Sequence, residues 1–133
     1  MVKQRVSRAF ALDSSALLAL LRREAGAERV LAVIEHGVIS AVNLCEVLGK
    51  LHDLARPRGE IEAVMQTLEM EIVPFDDAQA ERAAALRPLT RAKGLSLGDR
   101  ACLALAATRG IPALTGDRAW TEVDTGVTIE LFR

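Results

Sequence analysis

Acidic residues occupy four places where this chain changes character. Asp13 follows the apolar run "AFAL", and Asp117 comes two residues after "IPALT". Asp99 stands at the head of "DRACLALAAT", and Glu46 lies within "AVNLCEVLGKLHDLA". Each has an ordinary explanation when taken alone. Asp is favoured at helix caps and turns, where it satisfies unpaired amides. Ser96 and Asp99 have the S-x-x-[DE] spacing of a capping box. Glu46 precedes Lys50 by one helical turn, an exposed pairing worth only about 0.3–0.5 kcal/mol. Brought together, the four would repel one another and hold their protons unless a cation neutralised them. A set of oxygen ligands without His or Cys suits Mg²⁺ or Mn²⁺.

The elements that must position these acids can be traced along the chain. Residues 6–12 and the runs 38–40, 71–75, 111–115 and 127–132 are strand-like. Between them, helical patterns cover 15–23, 27–36, 41–55, 60–70, 76 to 93 and 96 to 110. Pro74 favours a sheet edge or strand terminus. Pro88 removes a backbone donor and should kink or split the helix that contains it. In the 41–55 helix Leu44, Val47, Leu48, Leu51 and Leu54 point to a core, with Asn43, Glu46, Lys50 and Asp53 on the opposite stripe. The helix after Asp99 is apolar nearly all round, the pattern of an element packed into the centre of a domain.

Strands alternating with helices imply an α/β fold, with helices on both faces of a mainly parallel central sheet. Ligands in such folds sit beyond the carboxyl ends of the strands, where strand order reverses. Asp13 and Asp117 are expected at that edge, and the apolar helix would fix Asp99 rather than leave it on a mobile surface.

Composition narrows the function classes. A chain of 133 residues, half of them hydrophobic, is expected to form one domain over 1–133 without disulfides or a structural metal. No Cys/His zinc spacing exists, and Cys45 and Cys102 both fall in apolar helical patterns, so both are expected as small buried hydrophobes. Lys3, Arg5 and Arg8 before "AFALDSSALLALL" resemble a signal peptide faintly, but Asp13 and the charged "RRE" interrupt that reading. No run approaches the roughly 20 apolar residues of a membrane span. A cytoplasmic location is expected. The formal net charge of -1 argues against a globally basic nucleic-acid binder, although 14 of 17 basic residues are Arg; a GC-rich genome would give the same bias.

Four motifs, in order, resemble the PIN-domain family and, within it, the VapC-type ribonuclease toxins of bacterial toxin–antitoxin pairs: "ALDSSALLALL", "VISAVNLCEVLGKL", "GLSLGDRACLALA" and "PALTGDRAW". The resemblance implies a three-layer α/β/α PIN-like fold and places the family's acidic site on Asp13, Glu46, Asp99 and Asp117. Thr115 is the hydroxyl residue two before the last acid, and Ser14 matches the small polar position after the first. The implied activity is a divalent-metal-dependent endoribonuclease leaving a 5′-phosphate and a 3′-hydroxyl, with Mg²⁺ as cofactor and Mn²⁺ able to substitute. Asp13 and Asp99 would be the core ligands, Glu46 a ligand or a base acting through water, and Asp117 a water-mediated ligand. Arg100 and Arg118, with Arg91, Lys93 and Arg87, are candidates for a basic rim on RNA phosphates. Implied partners are a VapB-like antitoxin whose C-terminal tail covers the acids, an RNA substrate (tRNA, rRNA or mRNA), and a second copy in a homodimer within a larger assembly. The segments "AVIEH" and "EVLGKL" are the expected protein-binding surfaces.

Other α/β functions fit less well. A phosphoacceptor receiver would pair acids at the first strand and place a Lys after a late strand; here "DSS" follows that strand and no Lys follows Lys93. A haloacid-dehalogenase-like phosphatase would need D-x-D at the same point, and a P-loop is absent. A non-catalytic binding module and a PIN nuclease that matures rRNA or tRNA without being a toxin remain alternatives. A small upstream antitoxin gene would separate the toxin from the latter.

Overall fold

A computed structural model describes residues 8–133. The start of the first predicted strand, at residues 6 and 7, lies outside the described residues, as do Lys3 and Arg5. Strand β1 (Phe10–Leu12) leads through α1 (Ser14–Leu21) and α2 (Ala27–Val33) to β2 (Gly37–Ser40). Helices α3 (Ala41–Asp53) and α4 (Arg58–Thr67) then connect to β3 (Glu71–Val73). Next come α5 (Asp77–Ala85), α6 (Arg87–Thr90), α7 (Leu97–Arg109), β4 (Ala113–Thr115) and β5 (Ile129–Leu131).

The strands form one five-stranded sheet in the order β3-β2-β1-β4-β5, parallel throughout. The chain moves from β1 to β2 and β3 on one side, then crosses to β4 on the other. Strand order therefore reverses between β1 and β4, at the carboxyl ends that carry Asp13 and Thr115. Ligands collect at such a switch point in open parallel sheets.

Alternation along the strands divides the core in two. Phe10, Leu12, Ile39 and Leu114 face one layer with Leu17, Val30 and Val47. Ala11, Val38 and Ala113 face the other, where Cys102, Leu103, Leu105 and Trp120 pack. Sheet residues of period two thus feed helices on both faces, the three-layer architecture expected. In α7 the run from Arg100 to Ala106 is buried without a break. This all-round burial explains the nearly all-round apolar sequence.

Local differences from the predicted elements have physical causes. Pro88 splits its helix into α5 and the single-turn α6, followed by a 3-10 turn at Arg91–Lys93. Pro74 lies just past β3, which is an edge strand. The predicted 27–36 helix tightens into a 3-10 turn at Ile34–His36 before Gly37 enters β2. Leu54, expected in the core, is the C-cap residue of α3 and exposed. Cys45, expected buried, is exposed, whereas Cys102 is buried. Asn43, expected on the solvent stripe, is 1% exposed. Among the described residues no helix is long and apolar enough to cross a membrane.

Candidate active site at the carboxyl edge of the sheet

Asp13 is the centre of the arrangement. It follows β1 directly, caps α1 and is 4% exposed. Its Oδ1 accepts from the Ser15 hydroxyl at 2.7 Å and the Ala16 amide at 2.9 Å. Its Oδ2 accepts from Thr115 Oγ1 at 2.5 Å. Burial nevertheless dominates, lifting the carboxyl from its ordinary 3.8 to about 6 against those three hydrogen bonds, with Asp99 adding to the rise.

Thr115, the last residue of β4, is fully buried and accepts the Asp117 amide at 3.1 Å. One hydroxyl therefore ties Asp13 to the turn that carries Asp117. Ser15 makes a parallel link, accepting the Gly116 amide at 3.1 Å while donating to Asp13. The resemblance matches Ser14 to the small polar position after the first acid; of the two serines, it is Ser15 that hydrogen-bonds Asp13. The sequence "DSS" offers both, and only the helical phase separates them.

Asp117 is exposed, and its Oδ1 accepts the Ala119 amide at 3.0 Å, capping a 3-10 turn at Arg118–Glu122. Asp99 sits in the first turn of α7 within a capping box: the Ser96 amide donates to Asp99 Oδ2 at 2.8 Å and the Asp99 amide to Ser96 Oγ at 3.2 Å. Partial burial raises the Asp99 carboxyl, and Asp117 raises it further, while the Ser96 bonds and Arg100 oppose the rise. The cap explanations for Asp13, Asp99 and Asp117 are all correct, and the three acids still influence one another.

Glu46 is exposed on α3 and is not paired with Lys50 among the described residues. Its Oε1 instead accepts from Asn43 Nδ2 at 3.1 Å, and the same amide donates to Gly98 O at 3.0 Å. A β-carbon at Gly98 would collide with the Glu46 carboxylate, so that carboxylate rests directly against the backbone of α7. Asn43 and Gly98 were not singled out from sequence; the helical pattern put Asn43 on the solvent stripe, and its burial appears only in the structure. Beneath the acids lies the Cys102 thiol, pushed well up by burial and then by Asp13, Asp99 and Glu46.

The predicted basic rim separates into two groups. Arg91 and Arg118 are exposed, as is Lys93, whose Nζ lies 3.3 Å from a Glu122 carboxylate oxygen. Arg100 is 8% exposed and donates to Ala83 O at 2.9 Å, turned into the contact with α5 rather than toward a substrate. Burial of its neighbours carries this side chain inward, which removes it from the phosphate-binding candidates. Beside Glu46 opens an apolar groove of about 640 Å³ lined by residues including Val42, Cys45, Phe75 and Leu97.

Each of the four acids keeps one carboxylate oxygen position open to an outside partner. Asp13 Oδ2 has one donor and a second lone pair, and Glu46 Oε2, Asp99 Oδ1 and Asp117 Oδ2 have no donor among the described residues. No three acidic, thiol or imidazole groups close into a ready-made metal cage among the described residues. Hard oxygen atoms, mutual repulsion and open lone pairs nevertheless fit a divalent cation held partly through water.

Residues 10–126 match the PIN domain family. No curated protein matches the chain by sequence. Among solved structures, DNA-bound VapBC from Salmonella typhimurium is 20% identical, with a TM-score of 0.75 over 95% of this chain and 99% of that one. A toxin–antitoxin complex from Klebsiella pneumoniae is 21% identical, with a TM-score of 0.74 over 93% and 98%. A sarcin-ricin loop cleaving VapC toxin from Mycobacterium tuberculosis is 20% identical, with a TM-score of 0.66 over 78% and 86%. The parallel sheet, the acids at its switch point and the match over most of the sequence agree: this chain belongs to the PIN domain family.

Proposed function

We propose that this protein is the toxin of a VapBC-type pair, a single-domain, divalent-metal-dependent endoribonuclease that leaves 5′-phosphate and 3′-hydroxyl ends. The observation that carries the reading is the placement of Asp13 and Asp117 after β1 and β4, where strand order reverses, with Asp99 coupled to both and the Glu46 carboxylate against the first turn of α7, each acid with a carboxylate oxygen open to an outside partner. Asp13 and Asp99 are the core ligands for Mg²⁺, with Mn²⁺ substituting; Glu46 is a ligand or a base through water, and Asp117 binds through water. A divalent ion so bound supplies an acidified water and positive charge for phosphodiester hydrolysis.

The protein's own groups do the rest. Thr115 and Ser15 favour the ionised form of Asp13 by donating to its oxygens, and the Ser96 cap fixes the rotamer of Asp99. Arg118 and Arg91 offer exposed guanidinium groups for flanking phosphates. A VapB-like antitoxin, a homodimer within a larger complex and a cytoplasmic setting are the partners and place we assign. The VapBC and toxin–antitoxin neighbours support the antitoxin partner, and the sarcin-ricin loop cleaving neighbour supports RNA as substrate.

The test is cleavage mapping. Purified protein freed of antitoxin is incubated with total cellular RNA and Mg²⁺ or Mn²⁺, and new 5′ ends are sequenced. Discrete 5′-phosphate ends that vanish in Asp13→Asn and Asp99→Asn are expected. No cleavage with either metal overturns the reading.

A further inference from the structure

We infer that Asn43 and Gly98 form a slot that positions the Glu46 carboxylate against the first turn of α7, next to Asp99. The inference rests on the metal-dependent reading above and assigns both as positioning residues. Asn43 is buried on α3, and both hydrogens of its amide are used: one on Glu46 Oε1, the other on Gly98 O. Neither acceptor needs it. Glu46 is exposed to water, and a first-turn helix carbonyl such as Gly98 O already accepts from the amide four residues on. The consequence of the pair of bonds is therefore geometric: an acid on the helix covering one face of the sheet is tethered to the helix covering the other.

Two further features cost stability and serve no packing purpose. Asn43 Oδ1 is buried without a hydrogen-bond partner among the described residues, which an apolar side chain of similar size would avoid. Gly98 lies in the first turn of α7 with a backbone conformation that does not require glycine, yet an added β-carbon would occupy the space of the Glu46 carboxylate. Both oddities are explained by one requirement, that a flexible, exposed Glu be held at one place. Groups that orient a metal-binding side chain typically change metal affinity about 10–100-fold when removed.

Asn43→Leu and Gly98→Ala test this. Mn²⁺ alone is titrated calorimetrically into metal-free protein, and thermal melting is followed without metal. Each variant is expected to bind Mn²⁺ at least about tenfold more weakly, while its melting temperature is unchanged or raised, and excess Mn²⁺ is expected to restore RNA cleavage. Unchanged affinity in both variants overturns the slot, as does a melting temperature that falls in step with affinity, which marks a scaffold contact. If one variant fails to fold, the other decides. Wild-type protein that binds no Mn²⁺ overturns the metal reading and the slot together; wild type that binds while both variants bind equally well overturns the slot alone.

Discussion

Thr115 Oγ1 donates to Asp13 Oδ2 at 2.5 Å, joining the end of β4 to the end of β1 where the strand order reverses. The same oxygen accepts the Asp117 amide, so one buried hydroxyl sets two acids relative to each other. Thr115→Val keeps the shape and removes both bonds. Asp13 then loses a donor that favours its charged form, so its proton affinity rises further above about 6. The acid limb of the pH–rate profile for RNA cleavage should move to higher pH, and stability should fall by about 1–3 kcal/mol. Thr115→Ser should restore both. An unmoved acid limb in the Val variant, measured over pH 5–8, removes Thr115 from control of Asp13.

Asp13 itself opposes folding in its ionised form. Between its unfolded value near 3.8 and its folded value of about 6, the folded protein holds a proton that the unfolded chain has released. Stability therefore falls as pH rises through that window, by up to ~3 kcal/mol once pH exceeds 6. Asp13→Asn should abolish cleavage yet melt higher than wild type at pH 7.5, with the gain shrinking through pH 5 and gone below pH 4. Equal melting at pH 7.5 contradicts the buried-charge account.

A bound cation offsets the same penalty. Mg²⁺ or Mn²⁺ should raise the melting temperature of wild type at pH 7.5 and chelator should reverse it, by linkage of binding to folding. The response should weaken as pH falls through 6, where Asp13 takes up its proton, and should be absent in Asp13→Asn. A metal response undiminished in that variant places the ion elsewhere.

How far these features were legible follows from which forces act along the sequence and which across it. Asp13, Asp99 and Asp117 could be located because caps and turns are local, and each acid sits within a few residues of the amide it satisfies. The all-round apolar α7 announced its central position for the same reason. Asn43 and Arg100 could not be placed, because a helical stripe gives the phase of a residue but not the neighbour it meets. Asn43 points to Gly98, 55 positions away, and Arg100 to a carbonyl of α5 across a helix contact. Choosing Ser15 over Ser14 required knowing where the Gly116 amide lies.

Arg118 and Arg100 give opposite predictions despite both following an acid. Arg118 is exposed, so Arg118→Ala should weaken RNA binding and reduce the magnitude of the salt-dependence slope by about 0.7, the value for one single-strand phosphate contact. Arg100 is buried against Ala83, so Arg100→Ala should leave that slope alone and cost ~2 kcal/mol of stability through lost packing and an unpaired carbonyl. Fluorescence anisotropy across a salt series, with Ca²⁺ replacing Mg²⁺, separates the two. Equal slope changes would return Arg100 to the RNA-facing rim.

Cys45 allows the groove beside Glu46 to be tested in protein of native sequence. It is exposed in the groove wall, while Cys102 is buried with its thiol pushed well up, so a bulky maleimide should modify Cys45 alone. An RNA strand whose phosphate reaches the acids must pass the neighbouring surface, and a bulky adduct one residue from Glu46 obstructs it. Labelled protein should lose RNA cleavage with its melting temperature unchanged, because Cys45 is not part of either core layer. Cys45→Ser should cleave normally and resist the reagent. Full activity after complete labelling, verified by intact mass, would show that RNA approaches the acids from another side.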